Sequence, residues 1–198
     1  MRLPKFTQRL PKPLSVVEME KLLSLPTGTK FHRIRFRAML ELLYATGLRV
    51  SELIGLNMDR VNLDEGWVRV MGKGSKERIV PFGPRAKESL LCYLDYRRNR
   101  FPLAKDTFFL NSRGQGLTRG GFWWELRRRA WQSGIKGRVT PHQIRHSCAT
   151  HLLEGGADIR ILQAMLGHNS IITTQRYTHV SVALIRKACG QAHPSFSR

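Results

Sequence analysis

Six residues of this chain are of types that can work on a charged substrate. Arg49 follows a Thr-Gly-Leu turn, and Lys73 stands between two glycines in Gly72-Lys73-Gly74-Ser75. His142 and Arg145 are three apart after Thr140-Pro141. His168 closes Leu166-Gly167-His168, and Tyr177 precedes Thr178-His179. A phosphodiester under attack gathers negative charge on its non-bridging oxygens. Forked guanidinium donors match that charge, and imidazoles add hydrogen bonds. A tyrosine hydroxyl can be the attacking nucleophile. The sugar oxygen that leaves is far more basic than a phenol, so it needs a proton, which a lysine on a mobile loop can deliver. No carboxylate pair accompanies these residues to hold two metal ions, so a metal-free and cofactor-free reaction is expected.

Other chemistries fit less well. His142, His146 and His151 crowd one segment, and the first two share a helical face, but Gln-Ile-Arg lies between them. An arginine there repels a cation, so no metal site is expected. Gly72-Lys73-Gly74-Ser75 lacks the spacing of a phosphate loop, and it joins two strands rather than a strand and a helix. There is no G-x-S-x-G elbow. Each residue also has a bland alternative when taken alone. Arg49 can pair with Glu52, Lys73 can be a turn lysine, His142 can cap a helix, His168 can follow a helix stop, and Tyr177 can be a core aromatic.

The elements that must position these residues read as a mostly helical α+β domain. Ser15 and Glu18 have capping-box spacing ahead of a short helix with Val17, Leu22 and Leu23. Ile34, Ala38, Leu42 and Ala45 mark one face of a helix from Phe31 to Thr46, stopped by Gly47. A short helix spans about 50 to 56. Trp67–Val70 and Ile79–Phe82 read as the strands of one hairpin. Pro84 opens another helix, and four more cover about 118–132, 141–154, 158–166 and 181–190.

The chain has 198 residues, with 34 Lys and Arg against 14 Asp and Glu, a formal net charge of +20. That charge points to a polyphosphate partner. No apolar run approaches the roughly 18 residues of a membrane span, and the N-terminus is not a signal peptide. Three scattered cysteines disfavour a disulfide framework and suit a reducing, cytoplasmic setting.

Taken together, Ala45-Thr46-Gly47-Leu48-Arg49-Val50-Ser51-Glu52-Leu53, Gly72-Lys73-Gly74-Ser75-Lys76-Glu77-Arg78, Thr140-Pro141-His142-x-x-Arg145-His146, Leu166-Gly167-His168 and Tyr177-Thr178-His179 resemble the catalytic domain of the tyrosine recombinases, especially the bacterial Xer-type enzymes and phage integrases. The resemblance implies that fold, with one small antiparallel sheet. It implies a pocket of Arg49, Lys73, His142, Arg145 and His168, with Tyr177 as the nucleophile that forms a 3′-phosphotyrosyl bond. Glu52 takes a supporting, orienting position. The implied function is site-specific DNA recombination. A type IB topoisomerase and a catalytically silent DNA-binding accessory domain are the alternatives.

The expected partners are double-stranded DNA bearing a specific site and further copies of the chain, as a tetramer on DNA, with no membrane. The setting expected is the bacterial or archaeal cytoplasm, at the nucleoid. Lys76, Arg78, Arg119, Arg127, Arg128 and Arg129 are candidate DNA contacts. Trp123 is expected in the core beside Leu126 and Ala130. Residues 1–13 read as a basic arm, 14–180 as the catalytic domain, and 181–198 as a terminal helix and tail able to dock onto a neighbouring subunit. The family's N-terminal core-binding domain is expected to be absent.

Overall fold

The computed structural model describes residues 12–26, 28–72, 77–104, 106–167 and 179–196. Helix α1 (Val16–Leu23) opens as its sequence requires. Ser15 Oγ accepts from the Glu18 N–H at 3.2 Å, and the Glu18 carboxylate accepts from the Ser15 N–H at 2.8 Å. Helix α2 (Phe31–Thr46) is the centre of the molecule, with every residue from Ala38 to Thr46 buried. Leu, Met and Ala dominate that run, so it forms an apolar rod against which helices α4 (Pro84–Arg100) and α6 (Pro141–Glu154) pack. The remaining helices are α3 (Val50–Ile54), α5 (Arg119–Gln132), α7 (Ile159–Leu166) and α8 (His179–Ala192).

Three strands, β1 (Val61–Asn62), β2 (Trp67–Met71) and β3 (Glu77–Pro81), form an antiparallel sheet in that order. The two-residue β1 is one strand more than the periodicity suggested, since two residues are too short to show an alternation. In the β2–β3 register Val68 pairs with Val80 and Val70 with Arg78. Arg78, Val80 and Phe82 therefore point to one face, and all three are buried. That face meets α7 and α8.

The first turn of described chain is already tied down. The Leu14 N–H donates to Ser147 Oγ at 2.8 Å, and the Lys12 carbonyl accepts from Gln143 Nε2 at 2.6 Å. The C-terminal helix is longer than expected and packs on its own domain. Ile185 and Cys189 are buried there, and a short 3₁₀ turn (Pro194–Phe196) covers the ends of α2 and α4. His193 is buried against the Tyr44 ring, 4.5 Å between centroids, and burial pushes its pKa down to about 3.

Candidate active site

Two helix ends meet at the site. Gly47 caps α2 in the left-handed conformation, φ +60°, and a Cβ there would lie 2.7 Å from Leu166 Cδ2 and 3.2 Å from Cys148 Sγ. Only glycine combines that backbone with that close approach. The turn it makes delivers Arg49 to the N-cap position of α3. The Arg49 N–H donates to Glu52 Oε2 at 2.8 Å, and its Nη1 to Oε1 at 3.0 Å. The Arg49 side chain as a whole stays 39% exposed.

Glu52 is held from the other side by Arg78. Nη1 and Nη2 donate to Oε1 and Oε2, both at 2.9 Å, and Nε donates to the Met165 carbonyl at 2.8 Å. Burial by itself pushes the Glu52 carboxyl up. The hydrogen bonds from Arg78 and Arg49 outweigh that and hold it below the ordinary carboxylate range. A strand residue is thereby tied to α3 and to the C-terminus of α7.

Helix α6 supplies the third cation. Thr140 caps it, its Oγ1 accepting from the Gln143 N–H at 3.1 Å, and Pro141 fills the first turn without losing a needed donor. Arg145 then faces the Gly47 turn. Its Nη1 donates to the Gly47 carbonyl at 2.5 Å and its Nη2 to the Leu166 carbonyl at 2.6 Å. Burial, and then the neighbouring Arg49 charge, push its pKa down to about 10. It therefore stays charged at neutral pH, yet among the described residues no carboxylate pairs with it. His142 is exposed one turn earlier on the same helix.

The result is a cluster of three guanidinium groups, two of them bonded to the single carboxylate of Glu52 and the third to backbone carbonyls. Arg49, Arg145 and Glu52 come together here, with His142 on the adjoining turn. Lys73, Lys76, His168 and Tyr177 lie outside the described residues. Of the other tyrosines, Tyr44 and Tyr93 are committed elsewhere. Tyr44 Oη lies 2.7 Å from His151 Nδ1, and Tyr93 Oη donates to the Phe108 carbonyl at 3.0 Å. Burial raises the pKa of both hydroxyls.

Two proposed DNA contacts need correction. Arg78 is 5% exposed and its guanidinium is fully engaged inside the domain, so it positions Glu52 rather than meeting a phosphate. Period-two alternation with Val80 was the available signal. Arg129 is 4% exposed, facing Glu125 and the Pro26 carbonyl. Arg128 shares Glu125 from the half-buried flank, whereas Arg119 and Arg127 are exposed. Trp123 is also not core. Phe122 takes that place with Leu126 and Ala130, while Trp123 is half-buried with the Arg138 guanidinium 4.6 Å from its ring centroid.

The model of the phage integrase family matches residues 12–183. The chain is 48% identical over 196 residues to a tyrosine recombinase XerD of Halalkalibacterium halodurans, covering 98% of this chain and 66% of that protein. The chain thus spans slightly less than two-thirds of the length of such relatives. Among solved structures it is similar to the XerA recombinase, with a TM-score of 0.74 and 29% identity over 94% of this chain and 68% of that one. It is also similar to the XerH site-specific recombinase bound to difH substrate in a pre-cleavage complex, with a TM-score of 0.71 and 28% identity over 82% of this chain and 48% of that one.

Proposed function

Because the chain belongs to the phage integrase family, we propose that it carries the catalytic domain of a site-specific DNA recombinase that cuts and rejoins strands through Tyr177. The observation that carries this reading is the guanidinium cluster. Arg145 is anchored by two carbonyls and Arg49 by one carboxylate, so the cluster keeps an excess of positive charge beside a solvent-facing side. One phosphodiester supplies the missing anion. As the phosphorus becomes five-coordinate, its non-bridging oxygens gain charge, and Arg49 and Arg145 stabilise that state more than the ground state.

Tyr177 Oη gives up its proton to water and forms a bond to phosphorus while the bond from phosphorus to the 5′-oxygen breaks. Lys73 gives its proton to that oxygen, His142 and His168 hydrogen-bond the phosphate, and the strand is left as a 3′-phosphotyrosine with a free 5′-hydroxyl. Attack by the 5′-hydroxyl of a partner strand reverses the step and frees Tyr177. One phosphoester replaces another, so no nucleotide is consumed, and the guanidinium groups supply the positive charge that a metal ion would otherwise bring. The relevant partners are duplex DNA with a specific site and further copies of this chain, a tetramer in the bacterial cytoplasm at the nucleoid. Exposed Arg119, with Lys76, contacts the duplex backbone. In that assembly α8 exchanges its cis packing for a neighbour. No described helix is long and apolar enough to cross a membrane.

The test is a nicked trap substrate run on a denaturing gel with chelator present. Wild-type protein is expected to form a covalent adduct and Tyr177→Phe none, with DNA affinity nearly unchanged. An adduct in Tyr177→Phe refutes the nucleophile, and loss of the wild-type adduct on adding chelator refutes the metal-free step. Joining to a new partner strand separates recombination from topoisomerase-like relaxation.

A further inference from the structure

Helix α5 has two faces of opposite character. Phe122, Glu125, Leu126, Arg129 and Ala130 are buried. On the opposite stripe, at helical spacings of four, three and four, stand Gly120, Trp124, Arg127 and Trp131, all exposed. Trp124 is 66% and Trp131 81% exposed, and nothing lies within 4 Å of where a Gly120 Cβ would be. Single exposed apolar residues are ordinary, but two tryptophans in one stripe make a contiguous patch.

The patch continues past the helix end. Two shallow clefts share Arg127 and Trp131: one of about 630 Å³ with Gly120, Trp123, Trp124 and Arg128, the other of about 670 Å³ with Lys136 and Arg138. Its cations are exposed or half-buried, and Glu125, the one acid of α5, is buried and already bonded to Arg128. The Trp124 indole is braced as well. The Arg128 guanidinium lies 5.3 Å from the Trp124 ring centroid, itself held by Glu125.

We propose that this outer face of α5 is a second nucleic-acid site, which takes a single DNA strand by stacking unpaired bases on Trp124 and Trp131 while Arg127, Lys136 and Arg138 meet its phosphates. Charge selects the occupant class, since the rim is cationic with no free acid. The flat aromatic faces then select the strand. In a duplex the bases are stacked on each other and offer phosphates only, whereas an unpaired strand offers phosphates and π-faces together. Seven residues of helix separate the two indoles by about 10 Å along the axis, a span that roughly two or three nucleotides cover. The site is separate from the guanidinium cluster and needs no strand cleavage.

The experiment titrates the whole chain with a labelled oligothymidylate of about twelve nucleotides, within the usual site size for such grooves, and with a blunt duplex of equal length. Anisotropy reads binding, and quenching of tryptophan fluorescence reads stacking. Trp124→Ala and Trp131→Ala are each expected to weaken oligothymidylate binding about tenfold. Both should keep duplex binding within about twofold, and keep the melting temperature and the Tyr177 adduct unchanged. Equal losses on strand and duplex overturn the proposal, because the face then belongs to the duplex footprint. Unchanged oligothymidylate binding in both variants overturns it too. Quenching by a helical Glu- and Leu-rich peptide, with none by oligothymidylate, assigns the face to a protein instead.

Discussion

Replacing Arg78 with alanine leaves the Glu52 carboxylate inside the domain with only Arg49 to hold it. The side chains of the Arg78–Glu52 pair are 5% and 7% exposed. An exposed ion pair would be worth about 0–1 kcal/mol. Deleting one partner of a buried pair costs about 3–5 kcal/mol, because the remaining charge is stranded. The second range applies here, since the geometry is bidentate and Arg78 also satisfies the Met165 carbonyl. In a chain of 198 residues each kcal/mol lowers the melting temperature by about 2–4 °C, so the expected fall is roughly 6–20 °C. Arg78→Lys keeps the charge but loses the fork and should lie between. Arg78→Met with Glu52→Gln strands neither charge and should recover part of the loss. There is an acid signature too. The Glu52 carboxyl titrates below its ordinary 4.5 in the folded state, so the pair's stabilisation is present above about pH 4.5 and disappears as the pH falls through the folded-state value. Arg78→Ala should flatten that acid limb. It should also slow adduct formation, as Arg49 is drawn onto the unshared carboxylate. Urea unfolding from pH 3 to 8, with the trap substrate alongside, measures all of this. A loss below about 1 kcal/mol with an unchanged acid limb would refute the buried-clamp reasoning.

Gly47→Ala forces a left-handed alanine, at about 1–2 kcal/mol, and drives its Cβ into Leu166. Calorimetry should show the destabilisation, and adduct formation should fall more than DNA affinity because the carbonyl that anchors Arg145 moves. Glu41 is fully buried with both carboxylate oxygens unpartnered, and burial raises its pKa despite Arg85 and Arg37 nearby. Its neutral form is tolerated below about pH 4.5 and stability is lost as the pH rises through the folded-state value. Glu41→Met should therefore gain about 1–3 kcal/mol at pH 8 and less at pH 5 by urea unfolding; equal gains at both would contradict this. Lys73→Ala should be slow on ordinary DNA and largely rescued when sulfur replaces the bridging 5′-oxygen, a leaving group that needs little protonation, whereas Arg145→Ala should not be rescued. Equal slowness of Lys73→Ala on both substrates would remove the lysine as the acid.

What could be read without coordinates follows from where physical constraints are local. Ser15 with Glu18, Thr140 with Pro141, and Gly47 each announce a helix end within three or four residues, and α1 begins, α6 begins and α2 ends where those signals stand. The pairing of Arg49 with Glu52 is likewise a matter of spacing along one turn. Burial of charge is a different matter. Arg127, Arg128 and Arg129 are consecutive, yet one is exposed, one half-buried against Glu125, and one sealed beneath Pro26. Counting cations treats them alike, whereas the 3.6-residue period separates them once Phe122, Leu126 and Ala130 are recognised as the inner face. Arg78 follows the same rule with period two, its inward register shared with Val80. The apolar stripe of α8 carries no such signal. Ile185 and Cys189 need a cover whether their own domain or a neighbour provides it, so the stripe alone says that the helix docks but not on which copy. A net charge of +20 identifies the class of partner. Which arginines face that partner is decided by the few that the fold has turned inward to hold Glu52 and Glu125, and so to shape the surface the others present.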